Sequence, residues 1–250
     1  MFNFFVDETK KQNDCYLITG SDYNHIKNVL RMNVGENLLV SCNGRSDLCR
    51  IEDFEDECVR VAVIEEDYRN TELPVQIYLF QGLPKNEKME LIIQKATELG
   101  AAGIIPVEMS RCVVKLDDKK KKSKQTRWQA IAESAAKQSK RNNIPEVLEV
   151  LPYNKALEMA KNFDLLLVPY ENEEGMAATK KALCELENCK TVGIFIGPEG
   201  GFEEKEIEKA REAGGRIISL GDRILRTETA AVTAVAMCML HIEMNVEDKN

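Results

Sequence analysis

The sequence is short of the residues that most often carry metal or redox chemistry. It holds two histidines, His25 and His241, and one tryptophan in 250 residues. Its eight cysteines (15, 42, 49, 58, 112, 184, 189 and 238) form no CxxC pair. That combination offers a poor kit for a zinc site. In a chain of this size without a secretion signal it also argues against a disulfide framework. The cysteines read as reduced packing residues. No apolar run nears the roughly 20 residues of a membrane span, and the longest, 230–240, is about half that. The opening "MFNFFVDETKK" has neither a basic leader nor an apolar core of export length, so the chain is expected in the cytosol.

A general positive field is missing too. The net charge is −8, which disfavours a nucleic-acid partner if the charge is evenly spread. It is not. Within 111–141, eleven Lys and Arg face only Asp117, Asp118 and Glu133, a local +8 that leaves −16 on the remainder. On charge alone two readings of this run stay open: a solvated face or mobile loop, and a nucleic-acid contact.

Residues 1–72 read as a small β-rich unit, most simply a β barrel. "LLVSCNGRSDLCRI" joins two apolar runs through Asn43-Gly44, the pair a type I′ hairpin favours because both residues must reach positive φ. "CVRVAVIEE" alternates as a strand should. One helix is expected over 22–33, capped by Ser21, with Ile26, Val29 and Leu30 buried. Its polar face is either solvated or an RNA contact.

After Leu73-Pro74 the rhythm becomes strand, helix, strand, and it continues through 73–250. "VQIYLFQ", "GIIPV", "DLLLVPY", "TVGIFIG" and "RIISLG" are nearly all apolar, the mark of strands covered on both faces. "NEKMELIIQKATELG" is a helix with Met89, Ile92, Ile93, Ala96 and Leu99 on one face and Gly100 as its stop. Further helices are expected near 127–140, 154–162, 176–188, 203–213 and 228–244. Such alternation means an α/β domain with a mainly parallel sheet.

In open α/β sheets ligands bind beyond the carboxyl ends of the strands. Here those ends carry "GLPK" (82–85), "PVEMSR" (106–111), "PYE" (169–171), "GPEGG" (197–201) and "GDRILRTET" (221–229). "FIGPEGGFEEKEIEKA" resembles a phosphate loop at first sight. It lacks the Lys and hydroxyl of a Walker loop, and no GxGxxG follows the first strand. Its helix also opens with Glu203, Glu204 and Glu206, which answer the helix dipole from within and would repel a polyphosphate. The loop suits a ligand that is neutral or cationic where it meets the protein. S-adenosylmethionine, a sulfonium without phosphate, has that character. In the second loop Ile224 and Leu225 are apolar residues available to an adenine, followed by Arg226 and Glu228, with Thr227 a good N-cap. The helix "TAAVTAVAMCML" is either a buried core helix or a subunit interface.

"IGPEGG" (196–201) with "LGDRILRTETA" (220–230) resembles the ribosomal RNA uridine-N3 methyltransferases of the RsmE type, members of the SPOUT superfamily. The resemblance runs in order through "HIKNVLRM" (25–32), "GLPKNEKMELIIQKATELG" (82–100), "SRCVVKLD" (110–117), "RWQAIAESAAKQSKRNNIP" (127–145) and "PYE" (169–171). It implies a PUA-like β-barrel RNA-binding domain over 1–72 and an α/β methyltransferase domain over 73–250, the latter threaded as a trefoil knot. It further implies a homodimer, S-adenosylmethionine as donor, and N3 of one uridine in 16S ribosomal RNA, within the small ribosomal subunit, as acceptor. By matching position, Pro169, Gly197, Gly201, Leu220, Gly221, Ile224 and Leu225 would hold the cofactor. His25, Arg31, Arg111, Lys115, Gln138 and Arg141 would face RNA. No metal is implied. Asn3 departs from an Arg common in the family, and Glu203 from a usual Ser or Thr.

Methylating N3 requires loss of the imide proton as well as alignment of donor and base. Arg226 is the candidate to stabilise charge on a uracil carbonyl. Glu199 or Glu228 is the candidate proton acceptor, although both also fit as ordinary helix-start acids and Arg226 as the partner of Glu228. Three alternatives remain open: a knotted enzyme acting on a ribose 2′-hydroxyl, a non-catalytic RNA-binding assembly factor, and a nucleotide-binding α/β enzyme.

Overall fold

Strands of alternating apolar residues, joined by tight turns, build the N-terminal part of the chain. In the computed structural model, which describes residues 1–172 and 175–245, these are β1 (Asn3–Phe5), β2 (Lys11–Gln12), β3 (Cys15–Thr19), β4 (Asn37–Cys42), β5 (Arg45–Glu55) and β6 (Cys58–Glu65). They form one six-stranded sheet in the order β1-β4-β5-β6-β3-β2, antiparallel except for β1 on β4. No ladder joins β1 to β2 among the described residues, so the expected barrel is, by hydrogen bonding, a sheet with two free edges. Asn43 (φ 48°) and Gly44 (φ 79°) make the β4–β5 turn in the conformation their sequence predicts. Phe4, Ile18, Ile26, Leu38, Val40, Ile51, Val59 and Val61 fill the core of this unit.

The helix expected over 22–33 differs. Helix α1 (Gly20–Asn24) starts earlier, after Thr19, and Ser21 therefore lies inside it instead of capping it. It runs into a wider π turn over His25–Val29, closed by Leu30 N–H on the His25 carbonyl (2.8 Å). The wider turn leaves Ile26 fully buried but swings Val29 out to solvent. Arg31, at φ 52°, ends it.

Residues Ala136–Ile144 belong to this same unit, together with Met1–Glu72. The reason is polar. The Arg141 guanidinium pairs with Glu72, whose carboxylate also accepts the backbone N–H groups of Asn142 and Asn143. Asn142 accepts from Thr71 N–H (2.9 Å) and donates to the Arg69 carbonyl (2.8 Å). Asn3 is buried and donates to the Arg141 carbonyl (3.0 Å).

The second unit comprises Leu73–Ala135 and the residues from Pro145 onward. Its elements are β7 (Gln76–Gly82), α2 (Lys88–Glu98), β8 (Gly103–Glu108), α3 (Asp118–Ser139, the last turn counted with the first unit), β9 (Glu146–Val147), β10 (Leu151–Pro152), α4 (Tyr153–Ala160), β11 (Leu165–Pro169), α5 (Ala177–Leu186), β12 (Thr191–Ile196), α6 (Glu204–Glu212), β13 (Arg216–Ile218) and α7 (Thr227–Asn245). The strands form a seven-stranded sheet, order β10-β8-β7-β12-β11-β13 with β9 also on β8. Every ladder in it is parallel, as apolar runs alternating with helices require. Phe80 on β7 and Phe195 on β12 stack at 4.3 Å in its centre. The lysine run is no loop: it forms the first turns of α3, where Lys120 pairs with Asp117 and Lys121 with Glu108. Helix α7 buries Ala231, Ala234, Val235, Cys238 and Ile242 and leaves Leu240 and Met244 exposed. It is thus core on one face and open on the other.

Candidate active site

Three parallel strands, β11, β12 and β13, end at one cavity of about 790 Å³, within the range of small-molecule sites. Pro169 ends β11, Gly197 and Gly201 follow β12, and Leu220, Gly221, Ile224 and Leu225 follow β13. All seven line the cavity. Lys88, Tyr170, Glu171, Ser219, Asp222 and Arg223, not named one by one from the sequence as cofactor residues, line it too.

Close packing fixes the glycine loop. Pro198 lies against Gly82 so tightly that a Cβ there would sit 2.7 Å from both N and Cδ of the proline. Gly201 turns the chain at φ 66°, a conformation open to glycine at no steric cost. The following helix closes on itself: Glu206, buried in the first turn of α6, accepts the N–H of Glu203 (2.9 Å) and, with its other oxygen, that of Ser110 (2.9 Å). The acids after the loop thus satisfy the helix N-terminus internally.

Thr227 does not cap α7 through its side chain. Its hydroxyl donates to the Gly197 carbonyl (2.6 Å) and accepts from the buried Gln81 amide (2.9 Å). This links β7, the glycine loop and the start of α7, and it replaces the expected cap with a tie between the two loops.

The two glutamates expected as alternative proton acceptors both pair with one lysine. Lys88 Nζ lies 3.2 Å from Glu199 and 3.1 Å from Glu228. Glu199 also accepts the Lys85 N–H (3.0 Å). Partial burial pushes the Glu199 carboxyl up, but its own N–H, that of Lys85 and the Lys88 ammonium outweigh it and hold the pKa below its ordinary value. A carboxylate so held is a weaker base. Its ionised form persists as pH falls to the usual carboxylate range and is lost only below it. Glu228 does not line the cavity and pairs with Lys88, not with Arg226. Arg226 is exposed, lines the cavity and makes no ion pair among the described residues.

The expected RNA-facing residues separate into groups. Arg111 donates to the Gly200 carbonyl (2.9 Å) and so braces the glycine loop from outside. Lys115, Gln138, His25 and Arg31 are exposed, His25 with its ring edge-on to Phe4. Arg141 is 3% exposed and bound to Glu72. It is a structural tie of the first unit and presents no face to RNA.

The cavity suits the sulfonium donor expected of it. Its glycines leave backbone open to a ligand, and Ile224 and Leu225 offer apolar surface. Glu171 and Asp222 line it, beside Arg223 and Arg226, without an ion-pair partner among the described residues, so carboxylates are available to a cationic ligand.

Two family models match the chain: an RNA methyltransferase domain over residues 71–239 and an RNA methyltransferase PUA domain over 18–56. They define the class, an RNA methyltransferase in two parts. The chain is 40% identical to ribosomal RNA small subunit methyltransferase E of Bacillus subtilis over 98% of both chains. It is 35% identical to that of Mesomycoplasma hyopneumoniae over 96% of this chain and 99% of the relative. The crystal structure of the Neisseria gonorrhoeae enzyme of the same name, bound to S-adenosyl methionine, superposes with a TM-score of 0.82 at 30% identity, covering 96% of this chain and 97% of that one. The chain belongs to the ribosomal RNA small subunit methyltransferase E family.

Proposed function

We propose that the chain transfers a methyl group from S-adenosylmethionine to N3 of one uridine in 16S ribosomal RNA. The observation that carries this reading is the convergence of both loops, after β12 and after β13, on one cavity whose unpaired groups are acids and arginines. Bound there, the donor supplies an electrophilic methyl carbon. Pro169, Gly197, Gly201, Leu220, Gly221, Ile224 and Leu225 would hold it, and Glu171 and Asp222 would face its positive charge. Arg226, free of acidic partners, would stabilise the negative charge that develops on a uracil carbonyl when N3–H is lost.

The first unit, with exposed His25, Arg31 and Gln138, would bind RNA as a PUA-like domain, and in the second unit Arg111 and Lys115 would be the RNA contacts. Within the second unit we infer the trefoil knot of the superfamily, supported by β12 lying between β7 and β11 while the later β13 lies outside β11. Pairing of two copies through the open face of α7 would give the homodimer. No described helix is long and apolar enough to cross a membrane.

The test is methyl transfer from labelled S-adenosylmethionine to unmodified small ribosomal subunits, followed by nucleoside digestion and mass spectrometry. Label in 3-methyluridine is the expected result. Label in a ribose methyl would move the enzyme to a sister activity, and donor binding without label on any RNA would reduce it to a binding factor.

A further inference from the structure

Lysine is a poor choice for the first turn of a helix, where free backbone N–H groups already create positive potential. Lys88 nonetheless opens α2, and the acid of that first turn, Glu90, is engaged by Arg127. Glu87 makes no side-chain cap bond, and Asn86 is left-handed at φ 57°. The compensation comes from far along the chain, from Glu199 in the glycine loop and Glu228 in the first turn of α7. An ammonium carries three N–H donors. Its nitrogen lies within ion-pair distance of both carboxylates while the side chain also lines the cavity, so a donor remains for a ligand there. Glu228 raises the Lys88 pKa most, partial desolvation works against it, and Glu199 adds to the rise. The two carboxylates thus favour the charged form of the lysine.

The chemistry expected at the site calls for such a group. N3 of uracil lies between two carbonyls, so loss of its proton spreads negative charge over both oxygens. A single guanidinium covers one side. We propose that Lys88 is a second catalytic cation of this site, its ammonium donating to one uracil carbonyl while Arg226 serves the other. The assignment rests on the N3 reading above. In the step, the N3–H bond breaks and the proton passes to solvent water. The electron pair left on N3 forms the bond to the methyl carbon as the carbon–sulfur bond breaks, with its electron pair staying on sulfur. A cationic donor and a neutral uridine thus give a neutral thioether, a methylated uridine and one proton. Glu199 and Glu228 hold the lysine and take no proton.

The experiment compares two substrates, small subunits reconstituted with RNA transcribed in vitro using either uridine or 5-fluorouridine. Fluorine at C5 withdraws electrons and acidifies N3–H, so the fluorinated base needs less help to become an anion. K88M should lower kcat about 100-fold on uridine RNA, as loss of one charge-stabilising donor does. On fluorinated RNA the deficit should shrink to below tenfold. K88R should recover much of the activity. S-adenosylmethionine affinity by calorimetry should stay within about threefold of wild type, since the ammonium acts on the base and not on the donor. An equal deficit on both RNAs, or a loss that follows donor affinity or thermal unfolding, would show a latch only and overturn the proposal. If K88M does not fold, K88Q, polar and uncharged, carries the same comparison. A wild-type product other than 3-methyluridine overturns the reaction reading and this proposal with it. 3-Methyluridine from wild type, with no difference between substrates, sinks the lysine assignment alone.

Discussion

In the loop after β12, Gly197 and Pro198 are buried and Glu199 is held by Lys85 and Lys88. In the loop after β13, Arg223 and Arg226 are exposed without ion-pair partners among the described residues, and Ile224 is 88% exposed. Both loops line one cavity, yet one is finished by the protein itself and the other waits for what it binds. The glycine loop sets shape, so its residues should register in folding. The arginine loop makes contacts, so its residues should register in binding and turnover.

Substitutions can break or sharpen this contrast. The largest effect is expected from R226A, a fall in kcat of about 100-fold or more with the unfolding midpoint unchanged. Lost stability in that variant would contradict the open character of its loop. G82A places a Cβ against the Pro198 backbone and should cost about 2–3 kcal/mol in denaturant unfolding, as overpacking does, with donor affinity falling alongside. T227V removes the hydroxyl shared by Gly197 and Gln81 and should cost about 1–2 kcal/mol by leaving buried polar groups unpaired. The smallest effect belongs to I224A. Its unfolding free energy should stay within about 0.5 kcal/mol of wild type, while calorimetry should show donor affinity about threefold to tenfold weaker, the value of the apolar surface removed. A donor affinity unchanged by I224A would mean that this side chain serves another ligand.

Much of this was legible in the sequence because its causes are local. Apolar runs of five to seven residues announce parallel strands, Asn43-Gly44 announces its turn, and the glycines of 197–201 announce a loop of close approach. Glu203 and Glu206 were readable as a self-satisfied helix start because the partners lie three residues apart. What escaped reading depends on partners distant in sequence. Arg141 sits in a basic stretch and reads as an RNA contact, but Glu72, 69 positions earlier, buries it. Lys88 was not singled out, because the carboxylates it meets, Glu199 and Glu228, lie far along the chain. The start of α3 was missed for another reason: a run of lysines carries no apolar period, and pairing with Asp117 and Glu108 helps to hold what periodicity does not mark. The π turn at His25 has no sequence signature that the apolar spacing of Ile26, Val29 and Leu30 would reveal.

The hydrogen bond from Gln81 to Thr227 spans 146 positions, and it has a consequence for the timing of synthesis. β7 leaves the ribosome long before its partner exists. At roughly 5–20 residues per second, Gln81 waits about 7–30 s for Thr227 to be made. Until then the Gly197 carbonyl also lacks its donor and the second loop is absent. The nascent chain can assemble its N-terminal sheet early, but the cavity lined by both loops is among the last parts to close. An incomplete chain is therefore built without a working site.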